Sequence, residues 1–290
     1  MTPQPAQLEA LVAVADLGTF EAAARALHVT PSAVSQRIRA LESAAGQVLV
    51  HRGTPCRATV AGETLVRLAR QTGLLYDEAR AALGEGGPVA TAVAVNADSL
   101  ATWFRDVLDE AAGWEGAALR LRVEDQAYSA GLLRSGEALA AVTSDPAPVQ
   151  GCSVERLGVL RYAPAATPAF AERWRTGRGP DWARMPVVVF NAKDDLQQEL
   201  LRDRGLGLPP VVHEVPTSAD FHEAVRRGLG WAAIPEPQLL PDLAEGRLVR
   251  LHARAHVDVP LYWQRWRIDS PALDRLTAAA RRAAAAHLRS

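Results

Sequence analysis

The chain has 290 residues, of which 48 % are hydrophobic and 22 % charged. That balance excludes a fibrous or largely disordered protein, and at roughly 100–200 residues per domain the length suits two or three domains. Cys56 and Cys152 are the only cysteines, which excludes a disulfide scaffold and fits a reducing cytosol. No apolar run approaches the roughly 18 residues of a membrane-spanning helix. The opening Met1-Thr2-Pro3-Gln4-Pro5 has neither the basic nor the apolar region of an export signal, so a cytoplasmic protein with no membrane partner is expected. The net charge of −1 is uninformative as a sum. Its parts say more. Lys193 is the only lysine among 32 basic residues, and no G-x-x-x-x-G-K precedes it, which excludes a phosphate-loop nucleoside-triphosphatase.

Three helices are predicted in the first 45 residues. Leu8, Leu11, Val12 and Ala15 recur at helical spacing, and Gly18 ends that run. Thr19 can cap the next helix, Phe20 to Leu27, with Ala23, Ala24 and Leu27 inward. Thr30 and Pro31 then supply an N-cap and a first-turn proline for a third. Val34, Ile38 and Leu41 make its apolar stripe and leave Ser32, Ser35, Gln36 and Arg39 on other faces. The short turn of His28, Val29 and Thr30 gives helix-turn-helix geometry. Gln47–Arg52 and Cys56–Thr59, joined through Gly53-Thr54-Pro55, read as the two strands of a wing.

Arg25, Arg37, Arg39, Arg52 and Arg57 face one acid, Glu42, over residues 25–57. Singly, such serines and arginines are ordinary solvated residues. On a helix-turn-helix with a wing they are the footprint of a surface that meets DNA phosphates. The candidate DNA-binding set is Arg25, Thr30, Pro31, Ser32, Ser35, Gln36, Arg37, Arg39, Arg52 and Arg57. Ser35, Gln36 and Arg39 suit base edges in the major groove, and Arg52 and Arg57 suit phosphates.

Thr59 can cap a long helix, with Glu63 in its first turn. Leu65, Leu68, Thr72, Leu75, Ala79 and Ala82 lie on a heptad seam of about three repeats, half of it small or polar. Such a helix either packs on its own domain or joins two chains. Dimerisation is the preferred reading, because one helix-turn-helix reads only a half-site. Gly84-Glu85-Gly86-Gly87-Pro88 reads as a hinge. Beyond it, a strand is expected at 89–95, then one helix from Ser99 to Ala112 with Asp98 as N-cap. Further strands are expected at Leu119–Val123, Ala138–Ser144, Pro186–Phe190, Val211–Val215, Trp231–Ile234 and Leu261–Arg267, with a closing helix at Ala272–Leu288. Strands that run into helix N-termini present unpaired N–H groups at the carboxyl edge of a sheet, a natural ligand site.

The run Phe20 to Glu42, with A-A-x-x-L-x-V-T followed by S-A-V-S-x-x-I-x-x-L-E, resembles the DNA-binding motif of LysR-type transcriptional regulators. Many members carry Gln where this chain has Pro31. The resemblance implies α+β and α/β architecture: a winged helix-turn-helix at 1–59, a linker and dimerisation helix with hinge at 60–88, and an effector-binding domain at 89–290. That last domain would be of the periplasmic-binding-protein type, with subdomains at about 89–160 plus 266–290 and at about 161–265. It implies double-stranded operator DNA and a second copy, as homodimer or homotetramer, as partners, with RNA polymerase as a further partner of an activator. No cofactor or metal is implied.

Val95-Asn96-Ala97-Asp98-Ser99-Leu100-Ala101-Thr102-Trp103, Val123-Glu124-Asp125, Asp194-Asp195 and Leu261-Tyr262-Trp263 further resemble the ArgP/LysG-like subgroup, which controls export of arginine and lysine. A basic amino acid needs donors for its carboxylate and acids for its cations. Ser99 and Thr143 are candidate donors; Asp98, Glu124, Asp125, Asp194, Asp195 and Asp220 are candidate acids. Asp98, Asp195 and Asp220 equally suit helix capping. A LysR-type regulator with another effector is the main alternative.

Other classes are weaker. The chain carries no G-x-S-x-G, H-E-x-x-H, C-x-x-C or strand-following G-x-G-x-x-G, so no enzyme motif is present. His252 and His256 fall in a Pro- and charge-rich stretch that reads as a loop, not as a metal site. A solute-binding protein would lack the helix-turn-helix. A redox sensor would want a second thiol beside Cys152.

Overall fold

A computed structural model describes residues 2–124, 129–177, 179–192 and 194–290. Asp125 and Lys193 lie outside the described residues.

The first three helices are α1 (Pro5–Leu17), α2 (Phe20–Ala26) and α3 (Pro31–Ala45). Gly18 ends α1 with φ +71, and the Thr19 and Thr30 hydroxyls accept the N–H groups of Ala22 (3.1 Å) and Ala33 (3.2 Å). His28 makes the turn with φ +54, a conformation that few non-glycine residues adopt. The α1 stripe differs from its expectation: Leu8, Ala10, Leu11 and Val14 are buried, while Val12 and Ala15 pack at its margin. The wing is β1 (Val50–His51) against β2 (Arg57–Ala58). Gly62 sits against it so closely that a Cβ there would lie 2.1 Å from the Leu49 carbonyl oxygen.

The linker helix α4 (Val60–Ala82) does not present the expected seam intact. Leu65, together with Val66, belongs to the core of the winged domain, and Leu74 to the core of the following domain. Leu68, Leu75, Ala79 and Ala82 are exposed, as are Tyr76 and Leu83; Thr72 is half-buried. Propensity and spacing read one face, whereas the helix serves two cores in turn. Side chains then clamp α4 in place. Arg70 pairs with Asp16 of α1 and donates to the Ser135 carbonyl (2.7 Å). Glu78 accepts from the Ser270 hydroxyl (2.7 Å) and the Ala272 N–H (3.0 Å) at the start of the closing helix.

The remaining chain forms two lobes. β3 (Val89–Val95) is followed by α5 (Ala97–Ala101), α6 (Arg105–Ala111), β4 (Ala117–Val123), α7 (Ser129–Ser135) and β5 (Ala140–Thr143). β6 (Cys152–Ala166) leads into the second lobe. There lie α8 (Pro168–Arg173), β7 (Arg175–Thr176), β8 (Gly179–Pro180), β9 (Val187–Val189), α9 (Leu196–Arg202), β10 (Val212–Glu214), α10 (Ser218–Arg226), β11 (Ala232–Pro235), α11 (Glu236–Ala244) and β12 (Val249–Arg250). β13 (Val257–Trp266) returns to the first lobe, where α12 (Pro271–His287) packs.

Two expectations need correction. The helix expected from Ser99 to Ala112 is broken at Thr102 (φ −122, ψ −110), where Trp103 and Phe104 turn into the core. Asn96, not Asp98, stands at its N-cap. The second correction is β6, a 15-residue strand with no counterpart in the sequence reading. It spans both lobes. Its first half pairs with the part of β13 that also pairs with β5, and its far end pairs with β11 and β12. The sheet order is β11-β6-β13-β5-β3-β4, with β3 parallel to both β4 and β5.

Candidate effector site and nucleic-acid interface

The parallel strands decide where a ligand site can form. β3, β4 and β5 are followed directly by Asn96, Glu124 and Ser144; in the second lobe β9 and its parallel partner β10 lead towards Phe190 and Pro216. All five of those residues line one cavity of about 680 Å³ between the lobes. A cleft at the carboxyl ends of parallel strands is where open α/β sheets bind ligands, and its size lies in the range of small-molecule sites, roughly 300–1,000 Å³.

The chemistry of the wall is lopsided. Asp98, Glu124, Asp194, Asp195 and Glu199 line the cavity, and no lysine, arginine or histidine does among the described residues. Tyr162, from the unforeseen strand β6, is buried beneath it and donates its hydroxyl to Asp98 Oδ2 (2.8 Å). Burial, the Asp98 charge and that hydrogen bond hold the Tyr162 phenol well above its ordinary value, so it remains a donor. Asp194 accepts the N–H groups of Phe190 (2.7 Å) and Leu196 (3.3 Å), stapling the loop after β9. Burial nevertheless raises its carboxyl above the usual range. Gln197, also in the wall, donates to the Val188 carbonyl (3.1 Å), while its Oε1 and the Asn96 Oδ1 are buried acceptors with no protein partner. Unsatisfied buried acceptors are costly and call for a donor.

Of the acids expected from the sequence, Asp98, Glu124, Asp194 and Asp195 come together in this cleft. Asp125 lies outside the described residues. Three expected residues do not line it. Asp220 is exposed in the first turn of α10, bonded to the capping Thr217 hydroxyl (2.5 Å). The Thr143 hydroxyl is engaged with the N–H (2.8 Å) and carbonyl (3.1 Å) of Asp145. Ser99 is fully buried in the short helix after β3, with its hydroxyl unpartnered. Asn96, Tyr162, Gln197 and Glu199 were missed. Asn96 stood inside the quoted nine-residue stretch, but Tyr162 lay in an unread strand.

The other surface lies at α3 and the wing. Ser32, Gln36 and Arg39 are exposed on α3, with Ser35 and Arg37 half-buried. Thr30 is engaged as the cap and bonds Ser32 (3.0 Å), and Pro31 occupies the first turn. Arg25, Arg52 and Arg57 are exposed, with Arg52 stacked over the Phe20 ring at 5.4 Å. Glu42, the one acid of the segment, turns inward and accepts the Leu49 N–H (2.9 Å). The positive face therefore carries no internal neutralising partner from its own segment.

Residues 5–63 match the family described as "Bacterial regulatory helix-turn-helix protein, lysR family", and residues 101–285 match "LysR substrate binding domain". The chain belongs to the LysR family of bacterial regulators. It is a DNA-binding transcriptional regulator with an effector-binding domain. Among relatives in this family, the lysine export transcriptional regulatory protein LysG of Corynebacterium efficiens is 49 % identical over 289 residues, covering 99 % of both chains. The crystal structure of ArgP from Mycobacterium tuberculosis shares 47 % identity, full coverage of both chains and a TM-score of 0.89. Full-length LysG from Corynebacterium glutamicum with bound effector arginine shares 45 % identity over 99 % of this chain and 100 % of that one, with a TM-score of 0.84.

Among the described residues no cluster suits a metal ion, and no helix is long and apolar enough to cross a membrane. Burial pushes the Cys152 thiol up to about 11, which keeps it unreactive.

Proposed function

We propose that this LysR-family chain senses a basic amino acid, arginine or lysine, in the cleft between its lobes and controls transcription of an amino-acid exporter gene. The observation that carries this is a wall of five carboxylates with no cation among the described residues. A zwitterion with a second positive charge gains from such a wall, whereas an acidic or neutral amino acid leaves those charges uncompensated. The unpartnered Asn96 and Gln197 carbonyls add acceptors for its N–H groups. Relatives named for lysine export, and one seen with arginine, support the same reading.

In this proposal residues 1–59 read DNA, 60–88 join subunits and 89–290 sense the effector, in two parts at 89–160 plus 266–290 and 161–265. Ser35, Gln36 and Arg39 read base edges, while Arg25, Arg37, Arg52 and Arg57 meet phosphates. Asp98, Glu124, Asp194 and Asp195 hold the effector's cations, with Asp125 beside Glu124 in sequence. The exposed Leu68 and Leu75 with Ala79 form what remains of the dimer seam. The protein works in the cytoplasm as a homodimer or dimer of dimers, and as an activator it engages RNA polymerase. The effector acts only through binding one arrangement of the assembly better than another.

Footprinting of the exporter promoter with and without arginine or lysine tests the whole reading. A protected region whose extent changes with either amino acid supports it. A footprint unchanged by both overturns the effector claim and leaves DNA binding in place.

A further inference from the structure

Among the described residues two strands, β6 and β13, carry the chain between the lobes, and they cross side by side. β6 passes at residues 158–161, opposite 258–261 of β13, and the register slips between Leu261 and Tyr262. Gly158 sits at this point with φ +147, open to glycine and strained for other residues. A β-bulge with a glycine beside it is a place where paired strands bend.

The end of α12 lies across the same point. Leu288 leaves the helix in an extended conformation (φ −89, ψ 151). Arg289 then pairs with Val159 through both backbone groups (2.8 and 3.0 Å). A Cβ at residue 158 would come 2.7 Å from the Arg289 carbonyl oxygen, so Gly158 also admits this segment. The Arg289 guanidinium reaches Glu236 Oε2 with Nε (2.9 Å) and Nη2 (2.7 Å). Arg250 takes the other oxygen, Oε1, at 2.8 Å. Burial works to raise the Glu236 carboxyl, but Arg250 and Arg289 prevail and hold it below the usual carboxylate range, so it stays ionised. α12 packs on the first lobe, whereas Glu236 opens α11 and Arg250 lies in β12, both in the second. None of the three lines the effector cavity.

We propose that Arg289 is a positioning residue: its ion pair with Glu236 ties the first lobe to the second across the Gly158 hinge and favours the lobe arrangement that forms the cleft. Rotation about the crossing strands moves Glu236 with the second lobe while Arg289 stays with α12, so the pair lasts only near this arrangement. A tie present in one arrangement alone raises that arrangement's population, and with it the apparent affinity of any ligand that needs it. The ligand side of the inference rests on the proposed effector function; the lobe-to-lobe side does not.

The test uses full-length protein with spin labels at Arg120→Cys on the first lobe and Leu240→Cys on the second, both exposed, while the native Cys56 and Cys152 are buried. Labelled chains are diluted with unlabelled protein so that distances within one chain dominate. Arg289→Ala should broaden the inter-lobe distance distribution, and Arg289→Lys, which keeps the charge but loses the two-pronged contact, should fall between it and the parent. Calorimetric titration with arginine should give a Kd about threefold weaker for Arg289→Ala, the scale of a partly exposed ion pair. An Arg289→Ala distribution identical to the parent overturns the proposal, whether or not the melting temperature falls, because a purely structural contact would lower stability alone. A parent that binds no arginine refutes the effector reading, and the distance measurement still decides the tie.

Discussion

The DNA-reading surface and the effector cleft use charge in opposite ways. Arg25, Arg39, Arg52 and Arg57 are exposed around α3 and the wing, and Glu42 is turned away into the wing backbone, so a positive field is offered outward to phosphates. In the cleft two carboxylates are partly enclosed and tethered, Asp98 by Tyr162 and Asp194 by two backbone N–H groups, while Glu124, Asp195 and Glu199 line it from exposed positions. An exposed charge acts by attraction over distance and is screened by salt. An enclosed one acts by fit, because leaving it unpaired is costly. The net charge of −1 hides both, since a basic segment and an acidic cleft cancel.

Substitutions should separate the two regions. The largest effect is expected in the cleft. Asp98→Asn keeps the shape and removes a half-buried charge, and arginine affinity should fall by about 30-fold, within the range of one hydrogen bond to a charged group, while operator binding without effector is retained. Titration calorimetry and a gel-shift assay on the same preparation check both halves; equal losses in the two assays would mean that Asp98 acts on the fold. Next, Arg39→Ala should weaken specific operator binding by about 1–3 kcal/mol and leave arginine binding unchanged. Arg57→Ala should instead weaken binding to all DNA alike and lower the salt slope by about one unit. Matching behaviour of the two arginines would erase the division between base reading and phosphate contact.

Gly62→Ala should cost about 1–3 kcal/mol of stability by forcing the wing away from α4, read as a lower urea midpoint of the first transition, with the cleft's arginine affinity intact. The smallest effect concerns pH. Burial raises the Asp194 carboxyl, so its charge is lost at a higher pH than an ordinary aspartate's as acid is added. Arginine affinity should therefore begin to fall earlier on acidification, and Asp194→Asn should weaken binding while moving that onset to lower pH. Titrations at a series of pH values give the comparison, and an unmoved onset would assign the titration to another group.

The two regions also differed in how far they could be read from sequence. The winged helix-turn-helix is contiguous: its caps, its turn and the α3 stripe fall within some sixty residues, and local rules place them, although the α1 stripe lies one position off. The cleft is assembled from strand ends between Asn96 and Val259. The acids at those ends were recognisable by type, but the strand that supplies Tyr162 was not. β6 contains Glu155, Arg156, Gly158 and Pro164, which break both the alternation and the apolar run that mark a strand. Its length comes from serving two lobes, a tertiary demand that no local window contains. Thr143 and Asp220 failed for a related reason. Each sits where a donor or acid is wanted, yet each side chain is claimed by a turn or a helix start nearby. On α4 the heptad spacing was real, but Leu65 is drawn into the winged domain because the helix begins inside that core.

The central claim is that the acidic cleft selects a basic amino acid. Isothermal titration of the full-length protein with arginine, lysine, citrulline and glutamate tests it most directly, because these ligands share the α-amino and α-carboxyl groups and differ in side-chain charge. Saturable heat is expected with arginine or lysine, with much weaker binding of citrulline and none of glutamate. Citrulline or glutamate binding as tightly as the basic amino acids, or the absence of heat with both arginine and lysine, would contradict it.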